Sequence, residues 1–534
     1  MLRISIFDRA YTQYEIHDNV DGFVIDPIKL KLFHNDVFSF DGEKVHDIRS
    51  EIRNTKNLAG ILILNDNKTY GRTANKKRLL YKCIPNNKQL PYFFVPYDIK
   101  LSINKNVANK FILFNFHGWD SFSCHPMGII TESIGDVDDT NAFYEYQLLS
   151  RGLHGNIKLF TQKTNSLVCA EEFILNESKF IFSIDPQKCT DFDDALSFTY
   201  DEETQNSCVS VYFSNVASVI DKHHLWDFLS DRVSTIYLPD RRIPMLPLTL
   251  TTKFCSLRSN QKRSTFSVDF YYNRDGMLID ELTRIHIIPI IVDKNFIYDE
   301  AALINCPSYS LLFHLTSTLN HSTKNSHDLV SYWMTQTNTY CASFLSKHTR
   351  GILRIPTGIK SDLLILNNWN RISSQYVLCK DSDLKLTDEI YSHFTSPMRR
   401  IVDLLNQIEI YNILFPQHLS NSSQSFLNTW YTKIPYINQT MKSIRKTEMQ
   451  CNLLHFFTSN KLLWDKVYEG IIIQKKTSNS KFSYTVYIEE LNILSQVSKT
   501  TSDLPENSVQ HFQFYIFKCE HDTNRKIRLS IVYV

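Results

Sequence analysis

Short segments that alternate apolar and polar residues occupy both ends of this 534-residue chain, and they constrain its fold more than any other feature. Within the first 165 residues these segments are GFVIDPIKLKLF, AGILIL, YFFVPYDIKLSI and NKFILFNF. After residue 465 they return as YEGIIIQKK, FSYTVYIEEL, FQFYIFKC and KIRLSIVYV. A period of two residues is typical of half-buried strands, so the sequence predicts two small β-barrels at the start and one at the end.

The whole chain is too long to fold around one hydrophobic core, so we expect several domains. Its centre has a different pattern from its ends. We predict helix from about Tyr144 to Leu153 and over residues 387–415, where apolar positions recur at three and four. The polar stretch Leu419–Phe426 predicts a loop. The predicted fold class is multidomain α+β: barrels at 1–58, 59–165 and 465–534 flank a mixed α/β domain at 170–455.

Composition excludes several classes of protein. The chain is 43% hydrophobic and 21% charged, which is typical of a folded protein. A net charge of only +2 means that a polyanion partner would need a local basic surface. The 11 cysteines form no CxxC pair, which indicates a reducing compartment without a disulfide framework or zinc site. No apolar run approaches membrane-spanning length and the start lacks a signal-peptide core, so we predict no membrane partner and a cytoplasmic location, with nucleus and mitochondrion left open.

An acidic cluster lies in FSIDPQKCTDFDDALSF, between segments that resemble strands. Its members are Asp185, Asp191, Asp193 and Asp194. In a straight strand Asp193 and Asp194 would point to opposite faces, so convergence requires an irregular bend, which Pro186 favours. Converging carboxylates repel each other unless one is protonated or a cation intervenes, and ligands that are all oxygen select Mg²⁺ or Mn²⁺. A solvated acidic turn is the alternative at this point.

The pattern Asp-Pro-x4-Asp-x-Asp-Asp-Ala-Leu resembles the signature of the ribonuclease II (RNB) family of 3′→5′ exoribonucleases. The blocks YLPDRRIPMLP, WMTQTN and HFTSPMRRIVDLL follow in the family's order. Upstream, KKRLLYKCIPNNKQLPYFFVP and HPMGIITESIG resemble a cold-shock-type barrel of the eukaryotic, exosome-associated branch, and the tail ending in KIRLSI is similar to an S1-type barrel. The resemblance implies two cold-shock/OB-like barrels, a central RNB catalytic domain and a closing S1-type OB barrel.

The activity implied by the resemblance is Mg²⁺-dependent hydrolysis of single-stranded RNA, processively from the 3′ end, to nucleoside 5′-monophosphates, with Mn²⁺ as a substitute. A monomer is expected. Because no PIN domain precedes the barrels in this sequence, association with an exosome core would lack that tether. Two alternatives stay open: a catalytically silent RNA-binding regulator with the same fold, and a nuclease that acts on DNA or at internal bonds. Silent relatives usually lose acidic ligands, whereas this chain keeps all four.

The resemblance also assigns roles to residues. All four aspartates would hold metal, and the catalytic residues would be Asp193, Asp194 and Arg399. Arg399 suits this role because a planar guanidinium can stabilise a transition-state phosphate. Tyr237 would stack on the 3′-terminal nucleotide. The predicted RNA-binding residues are Tyr237, Arg241, Arg242, Arg258, Arg263, Asn338 and Arg400. For each of them, a place in the core or on a solvated charged face is the alternative.

This chain departs from the family pattern at several positions. Ser331 and Tyr332 stand where many relatives have a glutamate that contacts the terminal ribose. Gln407 stands for a histidine, Ile401 for a tyrosine and Asn215 for an aspartate. None is a predicted metal ligand. Ribose discrimination, processivity and rate are therefore the properties that these changes would alter.

Overall fold

The chain folds into two compact units. The computed structural model describes residues 1–18, 22–73, 75, 77–99, 107–168, 179–356, 374–381, 390–478, 481–491, 493–517 and 527–532. One unit comprises Met1–His154, Leu238–Asp240 and Arg445–Val534, and the other comprises Gly155–Tyr237 and Arg241–Ile444. In the described ranges, no helix has both the length and the apolar character that a membrane crossing requires.

The first unit begins with a four-stranded sheet in the order β2-β1-β3-β4. Its strands are β1 (Leu2–Ile6), β2 (Tyr14–His17), β3 (Val37–Phe40) and β4 (Val45–Arg49), followed by the short helix Glu51–Asn54. The strand predicted at residues 22–33 is wrong, because this segment forms turns. The Asp26 carboxylate accepts hydrogen bonds from the Ile28 and Lys29 amides at 3.0 and 3.1 Å, and Pro27 cannot donate to a strand ladder.

A closed five-stranded barrel follows in the same unit, in the order β5-β6-β7-β9-β8. Its strands are β5 (Leu58–Leu62), β6 (Leu79–Pro85), β7 (Phe93–Tyr97), β8 (Lys110–Gly118) and β9 (Met127–Asp136). Alternate side chains such as Tyr81, Cys83, Phe93 and Val95 fill its interior, as the period-two pattern predicts. The helix predicted near Tyr144 is confirmed as Thr140–Leu149.

The second unit is built on a six-stranded sheet in the order β16-β15-β12-β11-β10-β17. The strands of this unit are β10 (Phe182–Asp185), β11 (Asp194–Asp201), β12 (Asn206–Ser214), β13 (Ile236–Tyr237), β14 (Arg242–Ile243), β15 (Lys262–Tyr272), β16 (Arg284–Ile291), β17 (Lys294–Ile297), β18 (Ile352–Pro356) and β19 (Ser374–Leu378). Neighbouring strands of the sheet are antiparallel except β10 and β17, which run parallel. β13 pairs with β14 and β18 with β19 as separate two-stranded ladders.

Helices make up much of the rest of the second unit. They are Lys158–Asn165, Val216–Lys222, Leu248–Leu250, Ala301–Ile304, Pro307–Leu319, Ser326–Lys347, Ile401–Leu414 and Asn421–Thr432, with a π-helical turn at Thr251–Cys255 and 3₁₀ turns at Trp226–Phe228 and Cys379–Asp381. The helix Ile434–Ser459 contains the sequence boundary between the two units.

Two expectations about these helices need correction. The loop predicted at Leu419–Phe426 is wrong, because this stretch starts the helix Asn421–Thr432. Its serines act at the helix start: Ser420 is the N-cap residue, and its amide and hydroxyl donate to Asp221 at 3.1 and 2.5 Å. Helix predicted over 387–415 is confirmed only for Ile401–Leu414; residues 390–400 are irregular, and 387–389 lie outside the described residues.

The tail forms a five-stranded sheet in the order β22-β21-β20-β23-β24. Its strands are β20 (Val467–Ser478), β21 (Lys481–Ile488), β22 (Ile493–Thr500), β23 (Val509–Ile516) and β24 (Ile527–Val532), with 3₁₀ turns at Lys461–Trp464 and Glu489–Leu491. Four of these strands match the sequence prediction, and β22 was not predicted. The predicted class, β-barrels at both ends of the chain and a mixed α/β domain between them, is confirmed.

Candidate active site

A cavity of about 580 Å³ lies at one edge of the six-stranded sheet. Asp185 ends β10 and Asp194 begins β11, and because these strands are antiparallel neighbours, both residues lie at the same edge. β17 runs parallel to β10, so Tyr298, the residue after β17, reaches that edge too. The Tyr298 amide donates to the Asp185 carbonyl at 3.2 Å. Sheet topology therefore brings together residues that are far apart in sequence.

The connection between β10 and β11 is irregular, as Pro186 led us to expect. The Cys189 amide donates to the Pro186 carbonyl at 3.0 Å, and Lys188 has a left-handed φ of 71°. Further along, the Phe192 amide donates to Ser256 Oγ at 3.0 Å, which fixes the segment against the π-helical turn. This bend allows all four aspartates of the acidic cluster to line one cavity.

Asp193 is paired with Arg399 across 206 positions of sequence. Arg399 Nε donates to Asp193 Oδ2 at 2.5 Å, and the Met398 amide lies 3.4 Å from the other carboxylate oxygen. Asp193 is only 2% exposed. Burial raises the pKa of Asp193 to about 6 while the charge of Arg399 opposes the shift, and Asp193 in turn raises the pKa of Arg399.

Asp191 is paired with Arg242 in a second buried ion pair. Arg242 Nη1 lies 2.5 Å from Asp191 Oδ1, and the carboxylate side chain is 7% exposed against 29% for the arginine. Burial alone would lower the pKa of Arg242, but the hydrogen bond and charge of Asp191 raise it. We call Asp191 and Asp193 the arginine-held carboxylates.

Asp185 and Asp194 are not directly paired with an arginine in the described part of the chain, although the charge of Arg399 opposes the rise of both pKa values. Among the described residues, neither carboxylate forms an ion pair, and Asp185 Oδ2 is buried without a hydrogen-bond partner. Burial, the largest effect, raises the pKa of Asp185 to about 6, and burial together with the charge of Asp185 raises the pKa of Asp194 well above its usual value. We call Asp185 and Asp194 the open carboxylates.

The chemistry of this donor set fits a hard divalent cation. The open carboxylates offer oxygen ligands only, and a cation between them would relieve their mutual repulsion. Within the described ranges, however, no three His, Cys, Asp or Glu side chains are grouped closely enough to form a ready metal site.

A short backbone ladder ties Arg399 to the segment that precedes Tyr237. The Thr235 amide and the Ser234 hydroxyl donate to the Arg399 carbonyl at 2.8 and 3.0 Å, and the Ile401 amide donates to the Val233 carbonyl at 2.9 Å. Tyr237 lines the cavity and is 43% exposed. The side chain with the predicted stacking role and the predicted catalytic arginine are therefore anchored to one another through hydrogen bonds.

Arg400 starts the helix Ile401–Leu414 and is held by Asp403. Arg400 Nε lies 2.9 Å from Asp403 Oδ2, and Asp403 Oδ1 accepts from the Ser396 amide at 2.7 Å. Ser396 Oγ in turn accepts from Arg399 Nη2 at 2.8 Å. Asp403 thus fixes the turn from which Arg399 projects, and this buried carboxylate was missed in the sequence.

Other predicted RNA-binding residues have structural partners. Arg263 is 8% exposed and donates to the carbonyls of Ser256 and Lys253 at 3.1 and 2.7 Å. The Asn338 amide is 2% exposed, donates to Tyr391 and accepts from the Phe394 amide at 2.8 Å. Both residues thus support the structure around them, and their direct contact with RNA stays a prediction. Of the predicted site residues, the cavity lacks Arg241, Arg258 and Arg263.

The cavity also contains residues that the sequence does not single out, among them Tyr298, His327 and Cys189. Tyr298 packs against His327 with ring centroids 5.3 Å apart, and burial raises the pKa of Tyr298. Cys189 Sγ lies 3.7 Å from Asp185 Oδ1. The only signal for Tyr298 was its position directly after a short apolar strand, which is shared by many core residues.

The family departures fall into two groups. Asn215 and Gln407 are buried and join β12 to the helix Ile401–Leu414: Asn215 donates to Tyr411 Oη at 2.6 Å and Gln407 to the Ser214 carbonyl at 2.7 Å. They belong to the core and do not line the cavity. Ser331 does line the cavity, where it presents a neutral hydroxyl.

With OB-type barrels at its ends and a mixed α/β domain between them, the chain shares the fold of RNase R. Residues 175–306 match the RNB domain family, so the chain carries an RNB domain and its resemblance to the ribonuclease II (RNB) family is confirmed. DIS3-like exonuclease 2 of Schizosaccharomyces pombe is 27% identical over 227 residues, which cover 38% of this chain and 24% of that protein. The match thus spans about a quarter of the relative.

Solved structures share the fold over most of the chain. Mycoplasma genitalium RNase R in complex with ribose-methylated single-stranded RNA matches with a TM-score of 0.69 and 16% identity, covering 100% of both chains. Yeast Ssd1, a pseudonuclease, matches with a TM-score of 0.58 and 15% identity, covering 85% of this chain and 66% of Ssd1. At these identities the likeness establishes the fold alone.

Proposed function

We propose that the protein is a metal-dependent 3′→5′ exoribonuclease that hydrolyses single-stranded RNA processively to nucleoside 5′-monophosphates. The observation that carries this proposal is the cavity in which four aspartates meet Arg399. A single-stranded substrate also fits the flanking OB-type barrels, since such folds bind unpaired strands through aromatic and basic surfaces. A cytoplasmic monomer with single-stranded RNA as its partner, with or without an exosome core, remains our prediction.

The residues would divide the work as follows. Mg²⁺ or Mn²⁺ would be held by Asp185, Asp191, Asp193 and Asp194, and when bound it would lower the pKa of a water molecule and polarise the scissile phosphate. Arg399 would contact the phosphate, where a preorganised guanidinium stabilises developing negative charge. Tyr237 would stack on the terminal base and hold the last linkage at the carboxylates.

A second candidate is a catalytically silent RNA-binding regulator with the same fold. The observation that favours it is that two of the four carboxylates are engaged by arginines, and the described residues offer no ready metal site. The similarity between the fold of this chain and that of yeast Ssd1, a pseudonuclease, agrees with this candidate.

One assay separates the candidates. RNA and DNA single strands with a 5′ label are incubated with the protein, with Mg²⁺ or EDTA, beside Asp194→Asn and Arg399→Ala variants. Progressive shortening of RNA from the 3′ end that EDTA and Asp194→Asn abolish, and that Arg399→Ala slows by at least about 100-fold, supports the exonuclease. Binding of RNA without any shortening supports the regulator, and internal fragments or shortening of DNA contradict both.

A further inference from the structure

In the ion pairs formed by the arginine-held carboxylates, the carboxylate is buried and the arginine is accessible. The Asp193 side chain is 2% exposed while that of Arg399 is 41% exposed, and the Asp191 side chain is 7% exposed while that of Arg242 is 29% exposed. In both pairs the guanidinium is therefore more exposed than its carboxylate, although all four residues line the cavity. For an anion that enters the cavity, the arginines are the more accessible members of the two pairs.

Backbone contacts hold the main chain of both arginines. The Arg399 carbonyl is held by Ser234 and Thr235, and Arg242 pairs with Tyr237 in the β13–β14 ladder. Arg399 Nη2 also donates to Ser396 Oγ at 2.8 Å, so the contact of Arg399 Nε with Asp193 is the one that a phosphate would replace. A guanidinium binds phosphate oxygens in the same two-pronged geometry that it uses for carboxylates, so the exchange conserves its hydrogen bonds.

A divalent cation competes with these arginines for the same oxygen atoms. The open carboxylates Asp185 and Asp194 form no ion pair with the described residues, whereas Asp191 and Asp193 are paired with Arg242 and Arg399. With only two ligands a hard cation is held weakly, since such ions require several oxygen donors.

We propose that Arg242 and Arg399 are positioning residues that keep Asp191 and Asp193 from the metal until RNA phosphates accept their guanidiniums, so that RNA and metal bind cooperatively. This inference rests on the proposed function for its choice of RNA as the anion. Cooperativity is reciprocal: if RNA tightens metal binding by a given factor, metal tightens RNA binding by the same factor. We expect at least tenfold, which corresponds to about 1.4 kcal/mol of coupling.

The test measures metal binding directly by the loss of free Mn²⁺ signal in electron paramagnetic resonance, without reference to activity. The full chain is titrated with Mn²⁺ alone, with an RNA whose 3′ linkages are charged but hydrolysis-resistant phosphorothioates, and with an RNA whose last linkages are uncharged methylphosphonates. Arg242→Met removes the guanidinium beside Asp191. Lys188→Met is the matched control, because Lys188 is an exposed cation that lines the same cavity and forms no ion pair in the described part of the chain.

We expect wild-type protein to bind Mn²⁺ at least tenfold more tightly with phosphorothioate RNA than alone, and the methylphosphonate RNA to give little of this gain. Arg242→Met should tighten Mn²⁺ binding without RNA severalfold more than Lys188→Met does, because only the former exposes a ligand. A purely structural role for Arg242 would instead weaken binding.

Equal Mn²⁺ affinity with and without RNA, or equal effects of the two methionine variants, overturns the inference. The proposed function is judged separately by the shortening assay. If the chain proves silent and binds no RNA, the comparison of Arg242→Met with Lys188→Met in RNA-free protein still decides whether arginine withholds Asp191 from metal.

Discussion

Asp403 allows a sharp test of how the Arg399 turn is held. The side chain is fully buried and accepts hydrogen bonds from the Ser396 amide and Arg400 Nη2 at 2.7 and 3.0 Å. Asp403→Ala leaves the Arg400 guanidinium, 23% exposed, without its carboxylate. Truncating one partner of a buried ion pair costs roughly 3–5 kcal/mol, and since Arg400 keeps some contact with water, we expect about 3 kcal/mol.

Asp403→Asn separates charge from hydrogen bonding. The amide oxygen still accepts from Ser396, so the variant should lose only about 1–2 kcal/mol. Both variants are compared with wild type by urea unfolding, followed through the fluorescence of the buried tryptophans Trp226, Trp333 and Trp430. These three tryptophans lie in the same compact unit as Asp403, so their fluorescence reports on the unfolding of that unit.

The control for this series is an exposed ion pair of the same unit. Lys433 and Asp231 have side chains that are 39% and 73% exposed, so Asp231→Ala should cost less than about 1 kcal/mol. The reasoning is refuted if Asp403→Ala is no more harmful than Asp231→Ala, or if Asp403→Asn loses as much as Asp403→Ala.

Three further outcomes are expected. In EDTA, the free energy of unfolding should fall as pH rises from about 4 to about 6. The reason is that Asp185 and Asp193, whose pKa values are raised to about 6 in the native protein, keep protons that the unfolded chain has released. Urea unfolding of Asp185→Asn across this pH range should show a smaller fall, and an unchanged slope would contradict the assignment. Tyr237→Ala should weaken RNA binding by about 1–3 kcal/mol in fluorescence anisotropy, whereas unaltered affinity would remove it as a stacking platform. Gly470→Ala would place a Cβ 2.6 Å from Ile488 Cδ1, so a loss of about 1–3 kcal/mol is expected in thermal melting of the tail barrel, and a neutral result would show that its core can yield.

Local signals were enough to predict part of the fold and of the site. The acidic cluster could be recognised because Asp185 and Asp194 directly adjoin strands, and Pro186 made a bend between them necessary. The barrel strands followed from alternation. By contrast, the serine-rich start of the helix Asn421–Thr432 predicts a loop, because serines favour both helix caps and turns. This helix buries only two large apolar residues, Leu427 and Trp430, which are too few to reveal a helical period.

Long-range partners could not be predicted. Nothing near Arg242 indicates that it lies against Asp191, 51 positions away, or that Arg263 turns inward to hold three carbonyl groups. Whether an arginine binds solvent, a carboxylate or a backbone oxygen depends on the tertiary contacts around it. These contacts cannot be predicted from a single sequence. The parallel pairing of β10 and β17, which brings Tyr298 to the cavity, is a topological fact of the same kind.

The hydrogen bonds that join residues 233–235 to Arg399 and Ile401 restrict how this protein can change in evolution. An insertion or deletion on either side of that junction would shift Tyr237 against Arg399, although the two side chains interact through a hydrogen bond. Tyr237 and Arg399 are therefore expected to be inherited as a unit, whereas Ser331, which lines the same cavity from the helix Ser326–Lys347, is outside this junction.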